Sequence, residues 1–417
     1  MADPAMLLNL ALALAAAFLL VLGAAGLFAL VKGANELRRL LRDTSSSYLS
    51  VLLKSPLVPG VSVLTVAREA TPEARSLVRR LLDVHYGKHE LVLVLDGPSD
   101  AARSQWIDEL RLVPRERTPG GELPAQPVRA YYVSRDPLKL LVVEKEAGGD
   151  PDSYNAAINA AQFPVLGLVD PRAEFVPEWL LWLIRPLLEN WDDTVAVCGL
   201  AAPAPAEGFA GRIGALESLR RWMVRGAAFA RWRRFVPMPG CCMLIKRESA
   251  IAAGGFRRGL LELFLDLHGG KRQIRFLPAP VSWTAAPATL ADVRNQLRYD
   301  QAQLAAGLRY RAAGSREFAG LFCMRVIRPV VETLALLAAA AGVAAGWVPP
   351  ALGVVVLLAS AGTGMVLSIA AVVLHEMADP GSHEPRYLTR LFLTAIPENL
   401  GYRQVRNLWL IAGFLSR

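Results

Sequence analysis

An uncharged apolar run near the N-terminus restricts what this chain can fold into more than any other feature. The run extends from Met6 to Val31 without one charged residue. A bilayer core of about 30 Å is crossed by roughly 20 helical residues, so the run is long enough to span a membrane with some tilt. Hydrophobic residues make up 53% of the 417-residue chain, which agrees with a membrane protein.

The charges beside this run predict its orientation. Lys32 and three arginines up to Arg42 follow it, whereas the residues before it carry only Asp3. The positive-inside rule then places the N-terminus outside and residue 32 onward in the cytoplasm. A cleaved signal peptide is the alternative, but it usually has a basic start and a shorter apolar core.

Two further spans are predicted near the C-terminus, at roughly Val326–Trp347 and Ala351–Leu374. The connector between them is uncharged, and the tail beyond them carries arginines. This pattern indicates a helical hairpin with its loop outside and its tail inside, so that residues 32–322 are cytosolic. Glu332 falls inside the second span, where we expect either a pair with Arg328, one turn away, or simple snorkelling.

Charge and cysteine content exclude several kinds of site. The net charge of +9 is concentrated beside the predicted spans, which favours anionic lipid as a partner over nucleic acid, for which no motif is present. The four cysteines show no CxxC spacing and are interpreted as small buried residues.

Between the spans the sequence alternates between apolar strands and amphipathic helices. This order predicts an α/β domain with a mostly parallel sheet and helices on both faces. Asp96 and Asp170 each follow a strand, and the ends of neighbouring parallel strands form a ligand site in such sheets. The predicted strands are Gly60–Ala67, His89–Leu95, Leu140–Val143, Val165–Val169, Val195–Leu200 and Gln273–Leu277.

Three segments near the predicted membrane surface have more than one interpretation. The basic, aromatic stretch 211–235 is either a solvated or membrane-facing helix or an anion-binding edge for substrate. Residues 290–312 predict an amphipathic helix. In the tail, two apolar stretches flank a polar break at 397–404; we expect interface helices, with the break folded against the cytosolic domain. The predicted boundaries are 1–31 (first span), 32–58 (juxtamembrane linker), 59–285 (α/β domain), 286–322 (interface helices), 323–376 (hairpin) and 377–417 (amphipathic tail).

Five segments in this order resemble the membrane-integrated family 2 glycosyltransferases, the group of cellulose, hyaluronan and poly-N-acetylglucosamine synthases. The segments are VSVLTVAREATPEA, HELVLVLDGPSD, GGDPDSYNAAINAA, VLGLVDPRAEFVPEWL and GCCMLIKRESAIAAGGF. The similarity covers about residues 55–310 and the flanking spans. It implies a GT-A fold, a nucleotide-diphosphate sugar as donor, Mg²⁺ or Mn²⁺ as metal, and a bacterial inner-membrane location.

The donor side departs from the family pattern at the charged positions. Asp96 is retained, but the acid expected before it is Leu95. Asn155 matches the donor-side Asn, whereas the Lys position is Asp150. The Asp-X-Asp metal motif reads Asp170-Pro171-Arg172, which leaves Asp170 as the only candidate metal ligand.

The acceptor side is also altered. The position of the general base falls on Leu260, so Glu262, at a secondary acidic position, and Asp266 are the remaining candidates for that role. The acceptor motif Gln-x-x-Arg-Trp reads Asn295-Gln296-Leu297-Arg298-Tyr299, and Cys241 lies in the acceptor-side segment.

These departures leave two principal interpretations. A guanidinium beside the metal position repels a divalent cation, and we expect Asp150 and Arg172 to pair in place of metal and phosphate. The chain is then a degenerate subunit without a cofactor that docks on an active synthase or export partner, or forms a homo-oligomer. Alternatively it is an active transferase in which Arg172 replaces the metal. A transporter or channel is a third class, disfavoured because three spans are few.

Overall fold

A computed structural model of the chain describes residues 3–43, 58–118, 121–135, 139–225, 242–257, 259–267, 272–285, 287, 289–309, 319–320, 322–378 and 384–415. The chain forms two compact units. One comprises residues 1–39, 202–232 and 285–417, and is called the membrane unit below. The other comprises residues 40–201 and 233–284, and is called the α/β unit.

The α/β unit is built on a ten-stranded sheet with the order β3-β4-β5-β2-β1-β6-β9-β8-β10-β7. Strands β5, β2, β1 and β6 are parallel, whereas β3, β4, β7 and β9 pair antiparallel with their neighbours. The sheet is therefore mixed, with a parallel centre, where a mostly parallel sheet was predicted. The strands are β1 Val61–Ala67, β2 His89–Asp96, β3 Leu112–Pro114, β4 Val128–Ser134, β5 Leu140–Lys145, β6 Val165–Leu168, β7 Ala173–Phe175, β8 Thr194–Pro203, β9 Met243–Lys246 and β10 Gln273–Thr284.

Helices cover the parallel centre of the sheet because strands such as β2, buried along its whole length, need apolar cover on both faces. Helix α2 shows how the sequence supplies it. The Thr71 hydroxyl accepts a hydrogen bond from Ala74 N, Pro72 occupies the first turn, and Leu77, Val78 and Leu81 are buried. The helices are α1 Pro4–Asp43, α2 Pro72–Leu82, α3 Asp100–Glu109, α4 Asp150–Ala160, α5 Trp179–Leu188, α6 Phe209–Arg220, α7 Arg247–Ala252, α8 Leu260–Leu267, α9 Leu290–Arg309, α10 Cys323–Ala344, α11 Pro350–Met377, α12 Pro385–Pro397 and α13 Arg403–Leu415.

A left-handed residue follows helix α3. The helix ends at Glu109, and Arg111 adopts a left-handed conformation with φ +48°. That turn precedes strand β3, which pairs with β4 across a Pro- and Gly-rich segment.

Three helices of the membrane unit are long and apolar enough to cross a membrane, namely Pro4–Lys32 within α1, α10 and α11. Asn9 Nδ2 donates to Trp347 O at 3.2 Å, and Gly23 faces Thr363. The N-terminal end of α1 therefore lies at the connector between α10 and α11, so these two features share one end of the three-helix bundle.

The ionic contacts of the membrane unit correct one expectation. Glu332 pairs with Arg403, whose Nε lies 2.8 Å from Glu332 Oε1, where Arg328 was the expected partner. The polar break in the tail is a kink at Glu398–Tyr402. It contacts Ser368 of α11 and also Arg220 and Glu217 of α6, which lie in the segment 59–285 against which the break was expected to fold.

The described part of the basic stretch 211–235 also has defined partners. Arg212 donates to Thr394 Oγ1 at 3.2 Å, Arg220 pairs with Glu398, and Arg221 lies 3.6 Å from Glu217. These arginines bind other residues of the membrane unit. Residues 226–235 lie outside the described part of the chain.

Candidate functional site

The candidate site lies where the parallel strands of the α/β unit end. Asp96 is the last residue of β2 and Lys145 the last residue of β5, and the two are direct partners in the register of these strands. Adjacent parallel strands therefore bring an acid and an amine side by side at the edge of the sheet where ligands bind in open α/β folds.

The Asp96 carboxylate is fully buried and receives four hydrogen bonds from the protein. Lys145 Nζ (2.7 Å) and Gly148 N (2.8 Å) donate to Oδ1, while Gly149 N and Arg68 Nε, both at 3.1 Å, donate to Oδ2. Burial by itself would raise the pKa of Asp96, but Lys145 and the Gly148 amide outweigh it and hold the pKa well below its usual range. The carboxylate is consequently ionised, and its oxygens are directed at protein donors.

Lys145 is buried to the same degree and uses its whole ammonium group inside the protein. Besides Asp96, Nζ contacts Asp152 Oδ1 at 2.7 Å and Glu146 O at 2.6 Å, and Ser153 Oγ lies 3.5 Å away. One cation between two carboxylates is the kind of buried arrangement that is tolerated when all partners are hydrogen-bonded. Lys145 was not among the residues predicted to form the site.

The N-terminus of helix α4 carries acids where a diphosphate would need positive charge. Asp150 is the first helical residue, is exposed, and follows Gly149 with φ +88°. Asp152, two residues on, accepts a hydrogen bond from Gln126 N at 2.9 Å. Helix N-termini bind anions because their free amides point outward, but carboxylates already occupy this one.

Asn155 connects α4 to neighbouring loops. Its Nδ2 donates to Pro124 O (3.1 Å) and Phe256 O (3.0 Å), and its Oδ1 accepts from Phe256 N at 2.8 Å. The neighbouring Tyr154 stacks on Phe256, with the ring centroids 4.9 Å apart. Asn155 is 3% exposed, so its polar atoms hold the protein together.

Asp170 lies after β6 in a tight turn. Its Oδ1 accepts from the backbone amide of Arg172 at 2.9 Å, so the two residues of the altered motif are joined through the main chain, with the guanidinium exposed. Burial, together with the charges of Asp150 and Asp170, raises the pKa of Tyr154 to about 12.

Asp150 and Arg172 are both described, and the structure records no ion pair between them, in disagreement with the expected pair.

The described residues do not fit a divalent metal. Among them no group of three His, Cys, Asp or Glu side chains is placed to hold an ion, and Asp170 is accompanied by the cation Arg172 in place of a second acid. Hard divalent cations need several oxygen ligands.

Helix α8 carries the remaining candidates for a general base. Leu260 begins the helix, Glu262 is 3% exposed, and Asp266 is partly buried. Burial raises the pKa of Asp266, with Arg257 acting in the opposite direction. A raised pKa is what a carboxylate base requires near neutral pH, so Asp266 is suited to that role.

The acceptor-side residues are described only in part. Asn295 and Arg298 are exposed on α9. The side chain of Tyr299 and the whole of Cys241 lie outside the described part of the chain.

Three solved structures are similar to this chain, and the first of them supports the fold. The structure of the mannosyltransferase PcManGT from Pyrobaculum calidifontis, in complex with GDP-mannose and Mn²⁺, matches with a TM-score of 0.51 and 18% identity, over 93% of this chain and 99% of that one. Glucosyl-3-phosphoglycerate synthase from Mycobacterium tuberculosis matches with a TM-score of 0.39 and 17% identity, over 62% and 81% of the two chains.

A third structure, residues 1–349 of TarS from S. aureus, matches with a TM-score of 0.38 and 13% identity, over 83% and 92% of the chains. No family model matches this sequence, and no curated protein matches it. The chain has a GT-A-type glycosyltransferase fold, to which three helices capable of crossing a membrane are added.

Proposed function

We propose that this chain is a membrane-embedded, family 2 glycosyltransferase-like protein of cell-surface polysaccharide biosynthesis whose transferase site is catalytically degenerate. In this role it docks on an active polysaccharide synthase, on an export partner or on a second copy of itself, and contributes organisation at the membrane in place of sugar transfer. The bacterial inner membrane is the proposed location, with the α/β unit in the cytoplasm.

One observation carries the proposal: the acid at the end of β2 is neutralised inside the protein. Asp96 and Lys145 are both fully buried and 2.7 Å apart, so the carboxylate makes its hydrogen bonds whether or not a nucleotide is present. A donor that competed for Asp96 would have to break a buried, charge-assisted contact, and such contacts are strong.

The charge at the metal position supports the same conclusion. Transfer from a nucleotide-diphosphate sugar leaves negative charge on the departing diphosphate, which a metal or fixed cations must stabilise. Asp170 supplies one carboxylate and binds the backbone amide of Arg172, whose side chain is a cation in place of a second acid, and Asp150 adds a further negative charge at the N-terminus of α4. Arg172 would repel a divalent ion, and Asp150 and Asp170 would repel a diphosphate.

The alternative is an active transferase, and Asp266 is the observation in its favour. A partly buried carboxylate with a raised pKa suits a general base, and exposed Arg172 could then act as counter-ion to the diphosphate without a metal. In this version the donor is a nucleotide-diphosphate sugar and the acceptor a polysaccharide or a lipid-linked sugar.

Complementation in the native host distinguishes the two. The gene is deleted, and the wild-type chain, Asp170→Asn and Asp266→Asn are each returned at equal membrane abundance. A degenerate subunit predicts that deletion abolishes the polysaccharide and that both variants restore it fully. Loss of polysaccharide with either variant, while the protein remains folded and inserted, would instead support the active transferase.

A further inference from the structure

The C-terminal tail has the opposite polarity to a water-soluble helix. Between Leu391 and Leu408 it buries five polar side chains beside the apolar Leu391, Ala395 and Tyr402, and its exposed large side chains are apolar. The buried polar residues are Thr394, Glu398, Asn399, Arg403 and Asn407. The exposed large side chains are Leu393, Ile396, Leu400, Val405 and Leu408, each between 43% and 61% exposed. A surface of this composition is suited to hydrocarbon.

The polarity changes sharply along helix α12. Arg386, Thr389 and Arg390 are exposed near its start, whereas the exposed residues from Leu393 onward are apolar. A boundary between water and lipid near residues 390–393 accounts for this change, because charged side chains prefer the headgroup region and apolar ones the acyl chains.

The kink at Glu398–Tyr402 lies beside the half of α11 that is away from the connector. Ser368 Oγ donates to Glu398 Oε2 at 2.7 Å, and Arg403 Nη1, directly after the kink, contacts Ser360 O at 3.4 Å. From Pro350, where α11 begins, Ser360 is about 15 Å and Ser368 about 27 Å along the helix axis. The kink therefore lies between the middle and the far boundary of a bilayer core of about 30 Å.

Helix α10, the other helix of the hairpin, also places Arg403 at membrane depth. Glu332 lies within α10 and binds Arg403 with both oxygens, at 2.8 Å to Nε and 3.2 Å to Nη2. Ionised groups inside a membrane are normally paired and face the protein interior. The pair between Glu332 and Arg403 meets both conditions and fixes the start of α13 at the level of Glu332.

The kink also satisfies its own backbone groups. Gln404 Oε1 accepts from Gly401 N at 2.7 Å, and Gln404 Nε2 donates to Asn399 O at 3.2 Å. Asn399 Nδ2 donates to Ala395 O at 2.9 Å. Non-helical backbone at membrane depth is tolerated when its freed N–H and C=O groups are bonded within the protein.

Both arms of the tail lead back to the same end of the bundle. Helix α12 starts shortly after α11 ends, at the end away from the connector. Towards the end of α13, Gly413 lies against Gln301, whose Nε2 donates to Arg325 O at 3.3 Å. Arg325 lies at the start of α10, which is again the end away from the connector.

We infer that residues 385–415 form a re-entrant membrane segment whose exposed apolar side contacts lipid acyl chains. Helix α12 enters the leaflet on the side away from the hairpin connector, the kink at Glu398–Tyr402 turns within the hydrocarbon, and α13 returns to the same side. The apolar face continues the lipid-facing surface of α11, where Val366 and Ile369 are also exposed. This inference does not depend on whether the transferase site is active.

Site-directed spin labelling of the full chain in lipid nanodiscs tests the topology. Single cysteines replace Arg390, Leu393, Leu400 and Leu408 in turn, in a background where the native cysteines are changed to serine, and the accessibility of each nitroxide to oxygen and to a water-soluble nickel complex is measured. The ratio of oxygen to nickel accessibility is expected to rise from position 390 to a maximum at 400 and to fall again at 408. Matched references are Leu334 in α10, for lipid, and Arg298 on α9, for water.

Three results would overturn the inference. Equal ratios at 393, 400 and 408 would indicate helices lying flat at the membrane surface. A continuous rise from 390 to 408 would indicate a segment that crosses the membrane. High nickel accessibility at 400 would indicate an aqueous surface that awaits a protein partner.

A second measurement avoids the cysteine changes. Lipids that carry a diazirine at the middle of the acyl chain are photolysed with the wild-type protein, and the labelled peptides are identified by mass spectrometry. Labelling of 393–408 at a yield similar to that of Val366 and Ile369 is expected. No labelling of 393–408 under conditions that label α11 would contradict the inference.

Discussion

Asp96 and Lys145 form an ion pair of 2.7 Å in which both side chains are fully buried. The pair follows directly from the register of β2 and β5, in which these residues are partners. It connects the end of the sheet to the Gly148–Gly149 turn that opens α4. A position expected to face a nucleotide therefore serves to fix the structure of the protein.

Removing one partner of this pair should be strongly destabilising. Lys145→Met leaves the Asp96 carboxylate buried with fewer donors, and breaking a buried pair from one side costs about 3–5 kcal/mol. We expect a lower free energy of unfolding for Lys145→Met, and a smaller loss for the double variant Lys145→Met/Asp96→Asn than the sum of the single changes. Purely additive effects would show that the two side chains are not coupled.

Replacing the cation at the metal position should create weak metal binding. Arg172→Asp places a second carboxylate beside Asp170 and removes a unit positive charge, which at 4 Å is worth about 1 kcal/mol per charge pair even in water. We expect Mn²⁺ affinity, measured by the loss of the free-ion paramagnetic signal, to increase at least about tenfold over wild type. The matched control Arg172→Ala removes the repulsion without adding a ligand, and its Mn²⁺ affinity should lie between those of wild type and Arg172→Asp. Tight Mn²⁺ binding by the wild-type chain would contradict this account.

The stability contribution of Asp266 should depend on pH in a defined direction. Burial raises its pKa in the folded protein above the unfolded value of about 3.9. At pH values between the unfolded and the folded pKa, the folded state binds more protons than the unfolded state. The free energy of unfolding therefore falls as the pH rises through this range. Asp266→Asn should therefore be more stable than wild type at pH 7 and lose that advantage at pH 3. An equal difference at both pH values would show that ionisation of Asp266 is not the cause.

The ion pair between Glu332 and Arg403 should be required for the tail to pack on the hairpin. Glu332→Gln leaves the buried guanidinium of Arg403 without its carboxylate partner, with an expected loss of about 3–5 kcal/mol. Limited proteolysis in nanodiscs should cleave 385–415 faster in this variant than in wild type. Arg298→Met, an exposed change on α9, is the control and should leave the cleavage rate unchanged.

The parts of the fold that could be predicted are those with a strong local pattern. Strands β1, β2 and β6 are short apolar runs, and the three candidate spans are long uncharged ones, so hydropathy alone locates them. Strands β3 and β7 were missed because each has only three residues, and β4 was missed because it is mostly only partly buried and lacks a continuous apolar run. Their pairing depends on tertiary contacts more than on local preference.

The site was predicted less well because its decisive contacts join distant residues. Asp96 and Lys145 are 49 positions apart, and Glu332 and Arg403 are 71 apart. A signal did exist for each pair: Lys145 ends an apolar strand beside the strand of Asp96, and an acid in a membrane span needs a cation. Neither signal identifies the partner without the register of the sheet or the packing of the tail.

Calorimetric titration of the purified full chain with a nucleotide-diphosphate sugar tests the central claim most directly. UDP- and GDP-linked sugars are titrated in the presence of Mn²⁺, with Asp170→Asn as the matched control. Because the carboxylate of Asp96 is committed to Lys145 and Arg172 repels the metal, we predict no binding heat at millimolar ligand for either protein. Saturable binding with a Kd below about 1 mM that Asp170→Asn abolishes would contradict the account.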